Sequence, residues 1–120
     1  MKDFLELAPR LFGLAPGSIR MAAGVILTAL RQGNPEEDFA LLLERLPEVV
    51  ELLQVARFLH SSAPDLAGRL EAAGVGQDRL APFASLLLNF LRQKAGVELV
   101  NRLLHQAPEL EQLSRRSPPG

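Results

Sequence analysis

Several residue types that would point to a particular chemistry are missing from this 120-residue chain. It contains no cysteine, no tryptophan and no tyrosine, and only six phenylalanines. The absence of cysteine excludes disulfides, thiol catalysis and thiolate metal sites. The scarcity of aromatic residues, beside an abundance of leucine and alanine, favours helices over strands.

The chain also has no large excess of charge of one sign and no long apolar run. The formal net charge is −1, without the basic surplus typical of proteins that bind nucleic acid or anionic membranes. No apolar run reaches the roughly 20 residues of a transmembrane helix, and the N-terminus has acidic residues where a signal peptide would need an apolar stretch. We therefore expect a soluble protein and, by default, a cytoplasmic one.

The most informative feature that is present is an internal repeat with a period of 61 residues. The segment Leu30-Arg31-Gln32 returns as Leu91-Arg92-Gln93, and Pro47-Glu48 returns as Pro108-Glu109. Without gaps this offset aligns 59 residue pairs, of which 13 are identical; random matching of this composition would give roughly six. The sequence therefore predicts a duplication of a unit of about sixty residues.

Apolar residues at helical spacing, interrupted by proline and glycine, predict seven or eight helices. At Gly33-Asn34-Pro35 we predict a left-handed glycine cap followed by a capping box between Asn34 and Glu37. Two similar four-helix halves, at about residues 1–60 and 62–114, should pack around a pseudo-two-fold axis. The prediction is an all-α orthogonal array or bundle forming one domain, 1–114, with a disordered tail at 115–120. The predicted helices span about residues 4–12, 16–32, 35–46, 47–60, 64–73, 77–93, 97–106 and 108 onward.

The pattern resembles a known kind of helical protein. A helix ending in Leu30-Arg31-Gln32, an acidic helix start and a helix ending in Leu46-Pro47 look like a duplicated bacterial helical domain of unknown function. The second copy, from Gly74 to Pro108, is similar to the uncharacterised VcgC/VcgE-type bacterial proteins. The resemblance implies an all-helical fold and leaves the activity open.

Few residues invite a chemical role. His60 and His105 are the only histidines and are each near a predicted helix end, where a histidine commonly contacts the last carbonyls. Their spacing matches no metal-binding motif. The carboxylates of Glu36, Glu37 and Asp38 complement the dipole at a predicted helix start. We expect no enzymatic activity, no metal and no cofactor.

Two polar pairs occur in both repeats: Arg31 with Gln32, and Arg92 with Gln93. Arginine near a helix C-terminus stabilises the negative end of the helix dipole, and this is the simpler interpretation. The alternative is a symmetric pair of polar contacts with a partner or a phosphate.

Residues 49–59 and 83–91 are apolar around most of the helix circumference, more than a 120-residue monomer easily covers. Such surface is typical of an interface or of a pocket for an apolar ligand. The alternative is that both segments are central helices of the array. The predicted interaction surface comprises Val49, Leu52, Leu53, Ala56, Phe58, Leu59, Phe83, Leu87 and Phe90.

The preferred hypothesis is a non-enzymatic helical module for protein interaction or oligomerisation, expected to be a homodimer. The alternative is a binder of an apolar or acyl ligand inside the helical bundle. A nucleic-acid-associated helical protein is the least favoured, because Glu36, Glu37 and Asp38 would face the phosphates of a docked nucleic acid.

Overall fold

A computed structural model describes residues 1–59 and 61–115, and every regular element in this part of the chain is a helix. The all-α prediction is therefore confirmed, and the fold is compact, with a radius of gyration of 13.0 Å. A short 3-10 turn, Gln77–Arg79, precedes the sixth α-helix. The helices are α1 (Lys2–Phe12), α2 (Pro16–Gly33), α3 (Glu36–Arg45), α4 (Val49–Ala56), α5 (Leu66–Ala72), α6 (Leu80–Ala95), α7 (Val97–His105) and α8 (Pro108–Ser114).

Helices α2 and α6 form the centre of the molecule. Helix α2 packs against α1, α4 and α5, whereas α6 packs against α7, α8 and α1. Phe4 of α1 makes edge-on contacts with Phe83 and Phe90 of α6, each at 5.7 Å between ring centroids. Segment 83–91 is therefore a core helix. Its fully buried side chains include Phe83, Ala84, Leu87, Leu88 and Leu91.

The junction between α2 and α3 differs from the prediction. Gly33 is helical, and a Cβ added there would lie 2.8 Å from the carbonyl oxygen of Gln106. Glycine is needed for this close approach and not for a left-handed cap, so the predicted cap is wrong. The capping box is wrong too, because Asn34 Nδ2 donates to the carbonyl oxygens of Leu30 (2.7 Å) and Leu103 (2.9 Å).

Helix α4 is shorter and less buried than the sequence predicts. It spans Val49–Ala56 instead of about 47–60, and within it only Val49 and Leu52 are fully buried. Val50 is 42% exposed, and Phe58, in the turn after the helix, is 74% exposed. The apolar excess of residues 49–59 therefore lies largely at the surface.

Two predictions concern residues outside the described ranges. These residues are His60 and residues 116–120 of the predicted tail. The first residue of that tail, Arg115, is described; it directly follows α8 and is exposed. Among the described helices, none is long and apolar enough by itself to cross a membrane. Helices α1 and α2 meet that test only jointly, with a bend of 115° between them.

Candidate interaction surface

The predicted interaction surface is divided between the core and the exterior. Val49, Leu52, Phe83 and Leu87 are buried within the chain itself and are not available to a partner. Phe90 is half-buried beside Phe4. The remaining predicted residues reach the surface together on α4 and the turn that follows it: Leu53, Ala56, Phe58 and Leu59.

Two neighbouring hollows lie along this outer side of α4. Groove A has a volume of about 410 Å³ and groove B a volume of about 510 Å³. The two grooves share Arg31, Leu53 and Arg57 in their walls, so they form one continuous surface. Groove A lies between α2 and α4, and groove B is bounded by α4 and by α3. Groove A continues along Val25, Ala56, Leu59 and Arg69, and groove B along Phe39, Ala40, Leu43 and Val50.

Arginines dominate the charge of this surface. Within the described ranges, the side chains of Arg31 and Arg57 form no hydrogen bond or ion pair; the arginine hydrogen bonds are made by Arg45, Arg69, Arg79 and Arg92. Arg69 donates through Nε to the carbonyl oxygen of Ala63, at 3.4 Å. An exposed guanidinium above apolar walls is well suited to bind a carboxylate.

The i,i+4 spacing of Asp65 and Arg69 predicts an ion pair, and no such pair is present among the described residues. Asp65 instead accepts a hydrogen bond from the backbone N–H of Gly68, 3.2 Å away, and thereby caps the start of α5. Arg69 is free to line groove A. Neither Arg57 nor Arg69 was predicted as a site residue. The one signal in the sequence was that Arg57 ends the polar stripe formed by Glu51 and Gln54.

A third hollow, groove C, with a volume of about 770 Å³, lies among α6, α7 and α8. Six of the residues that line it stand 61 positions after residues that line groove B. Polar side chains replace apolar ones at three of these six positions. The groove B residues Arg31, Ala40, Leu43, Val50, Leu53 and Gln54 correspond to Arg92, Asn101, Leu104, Glu111, Ser114 and Arg115.

The charged groups of groove C are paired within the chain. Arg92 donates to the side-chain oxygens of Asn101 (2.8 Å) and Asn89 (2.9 Å). Glu111 lies 3.6 Å from His105 and 3.8 Å from Arg115. Arg92, Glu111 and Arg115 of groove C therefore have partners within the chain, and the exposed His105 lies beside Glu111.

The two predicted polar pairs consequently have different surroundings. Sixty-one positions before Asn89 and Asn101 stand Thr28 and Ala40, which offer Arg31 no amide oxygen. The hydroxyl of Thr28 donates to the carbonyl of Gly24 instead, at 2.8 Å. Gln32 is exposed on groove A, and Gln93 is exposed near the end of α6.

Of the three acidic residues at the start of α3, two are exposed to solvent and one forms an ion pair. Glu36 and Glu37 are exposed, and Glu36 reaches the wall of groove B. Asp38 lies 3.8 Å from Arg102 of α7. In the two described ranges, no group of three or more histidine and carboxylate side chains is arranged to hold a metal ion.

Comparison of the chain with protein-family models, with curated proteins and with solved structures gives no match. The resemblance to VcgC/VcgE-type proteins therefore stays a prediction.

Proposed function

We propose that this protein is a non-enzymatic, cytoplasmic helical module that binds another protein, or a second copy of itself, through the surface formed by grooves A and B. The exposure of Phe58 carries this proposal. This large apolar side chain is 74% exposed in the turn after α4, and Val50 on α4 is 42% exposed. Clustered exposure of this kind beside apolar grooves is characteristic of interaction surfaces.

The proposal includes the origin of this surface by duplication. The order of elements supports it, since α1 to α4 are followed about 61 positions later by α5 to α8. In this proposal the halves 1–60 and 62–114 descend from one helical unit and are related by a pseudo-two-fold axis. One copy kept a polar, internally paired face at groove C, and the other acquired an apolar face for binding.

The test is the molar mass in solution over a concentration series, measured by light scattering with an apolar fluorescent dye at each point. If grooves A and B form an interaction surface, we expect either a dimer that does not bind the dye or a monomer that binds it. Phe58→Ser should then dissociate the dimer or abolish the dye signal. Leu11→Ser is the matched control, because Leu11 is a 58% exposed leucine on α1, whereas Phe58 stands between two residues that line groove A, Arg57 and Leu59. A wild-type monomer that binds no dye would contradict the proposal.

A second candidate function is the binding of an acyl or other apolar ligand, favoured by the shape of groove A. Its volume of about 410 Å³ falls in the range of roughly 300–1,000 Å³ typical of small-molecule sites. Arg31, Arg57 and Arg69 on its walls would pair with a ligand carboxylate. Native mass spectrometry of the purified protein would reveal a co-purified ligand, and a spectrum of bare protein would count against this candidate.

A further inference from the structure

The geometry points to one kind of partner for this surface: we propose that grooves A and B receive an amphipathic helix of a different protein, whose apolar stripe is flanked by carboxylates. In this arrangement the apolar stripe packs on Leu53 and Val50. The flanking carboxylates form ion pairs with Arg31 and Arg57. The inference rests on the proposed function, because it requires grooves A and B to be a protein-binding surface.

The shape of the surface fits a helix. Val50 and Leu53 on the outer side of α4 and Arg57 at its end are spaced by three and four residues, so they form one row along the helix. Across groove A, Thr28 and Arg31 stand three residues apart on α2 and form the facing row. Two such rows with a hollow between them are the surface against which the side-chain ridge of another helix packs.

The charge of the surface selects an acidic partner. Three guanidinium groups, those of Arg31, Arg57 and Arg69, line the two grooves, against one carboxylate, that of Glu36. This local positive excess contrasts with the net charge of −1 of the whole chain. The complementary partner therefore presents apolar side chains flanked by Asp or Glu.

The comparison of Arg31 with Arg92 shows that the chain can satisfy an arginine at this position internally. Arg92 is held by the amide oxygens of Asn89 and Asn101. Arg31, 61 positions earlier, has Thr28 and Ala40 in their place and keeps its donors available. Among the described residues none accepts a hydrogen bond from the Arg31 side chain, which is exposed and therefore open to a carboxylate of a partner.

Two other occupants fit the surface less well. A symmetric dimer would bring two sets of Arg31, Arg57 and Arg69 together, and like charges repel across an interface. A small acyl ligand inside the grooves would leave Phe58 uncovered, because this side chain lines neither groove. Phe58 stands between Arg57 and Leu59, which both line groove A, and we expect a helix that lies over the two grooves to cover it as well.

The experiment is a selection from a display library of amphipathic helices of about four turns, with the purified full-length chain as bait. All members carry Leu at i, i+3, i+4 and i+7, and the flanking positions carry Glu, Gln or Lys at random. We expect enrichment of Glu at the flanks. An enriched peptide is then synthesised, and its dissociation constant is measured by fluorescence anisotropy at two salt concentrations.

Two variants of the chain used as bait test whether binding depends on Arg31 and Arg57. The double variant R31Q/R57Q should weaken binding of the Glu-flanked peptide about tenfold or more, and added salt should weaken the wild-type complex. The matched control Arg92→Gln changes an arginine that is already paired internally and should leave the affinity unchanged. Circular dichroism of each variant verifies that the helices are intact.

Several outcomes would overturn the inference. Enrichment of Gln or Lys, equal affinity for R31Q/R57Q and wild type, or recovery of no peptide would each do so. If no peptide is recovered but the chain is a Phe58-dependent dimer, the proposed function holds and only the acidic helix is wrong. Binding of dodecanoate that R31Q/R57Q abolishes would instead indicate the acyl ligand. A chain with no dimer, no dye signal and no peptide would refute both proposals.

Discussion

Gly24 of α2 and Leu52 of α4 bring their two helices into backbone contact. A Cβ added to Gly24 would overlap the carbonyl oxygen of Leu52 and would lie 3.0 Å from the Cβ of Ala56. Helix α4 is therefore seated on α2 with no room for a side chain at the crossing. This seating buries Val49 and Leu52 on the inner side of α4 and leaves Val50 at the surface. The depth of grooves A and B depends on it.

Replacement of Gly24 by alanine should therefore be costly, although alanine is the better helix former. We expect Gly24→Ala to lower the free energy of unfolding by about 1–3 kcal/mol, as is usual for an overpacked site. Urea denaturation followed by circular dichroism would measure this. Gly17→Ala is the matched control within α2, because no heavy atom lies within 4 Å of its added Cβ. That variant should be neutral or slightly more stable, by up to about 1 kcal/mol, and a similar loss in both variants would contradict the argument.

The two arginines of the repeated Leu-Arg-Gln segment should contribute differently to stability. Arg92→Ala removes hydrogen bonds to Asn89 and Asn101 and should cost about 0.5–1.5 kcal/mol. Arg31→Ala removes no hydrogen bond within the described chain and should change stability by less than about 0.5 kcal/mol. Both arginines are near a helix C-terminus, so the dipole effect cancels in the comparison. Equal losses in thermal unfolding would show that Arg31 has a structural role.

Helix positions could be predicted from the sequence wherever local signals and burial agree. In α2, Ile19, Ala23, Ile26 and Leu30 repeat at helical spacing, and all four are buried. In α6 the same spacing places Phe83, Leu87 and Leu91 in the core. A periodic apolar face is itself the cause of burial, so the pattern and the packing agree.

Features that depend on residues distant along the chain could not be predicted. Gly33 was interpreted from its neighbours in sequence, but its small size is required by Gln106, which is 73 residues away. The i,i+4 spacing of Glu98 and Arg102 likewise predicts an ion pair, but Arg102 instead lies 3.8 Å from Asp38, which is distant along the chain. In α7 the spacing of Val97, Val100 and Leu103 predicts an inward face, but Val97 is 56% exposed, whereas Val100 and Leu103 are buried.

For the same reason, only part of the candidate site could be predicted from the sequence. The apolar excess of residues 49–59 marked the segment, but its composition alone does not say which side of α4 rests on α2. Arg57 and Arg69 are brought to one groove by the packing of α4 and α5 around α2. No short-range pattern connects two arginines 12 positions apart on different helices.

Asn34 should be important for stability because it joins the end of α2 to α7. Its Nδ2 donates to the carbonyl oxygens of Leu30 and Leu103, while its Oδ1 is buried without a partner among the described residues. Asn34→Ala should therefore lower the free energy of unfolding by about 1–3 kcal/mol. Asn34→Asp should cost more at neutral pH, because a carboxylate would face two carbonyl oxygens. Urea midpoints would rank the variants, with the exposed Gln93→Ala as the near-neutral control.

The pH dependence of stability should contain a contribution from Glu48. The pKa of this carboxyl lies below its ordinary value of 4.5, first because its own backbone N–H donates to it and second because the α-amino group of Met1 does. A carboxyl whose pKa is lower in the folded chain stabilises the fold above its unfolded pKa. That stabilisation is lost as the pH falls through its folded pKa.

Wild type should therefore be more stable than Glu48→Gln at neutral pH, and the difference should shrink as the solution is acidified. The side chain of Glu48 is 44% exposed, so added salt should reduce the difference further. Urea midpoints of the two proteins over a pH series provide the measurement. Glu51→Gln is the control, because Glu51 is exposed on α4 and forms no ion pair within the described ranges. If the difference between wild type and Glu48→Gln grows in acid, the carboxylate of Glu48 is not the stabilising form.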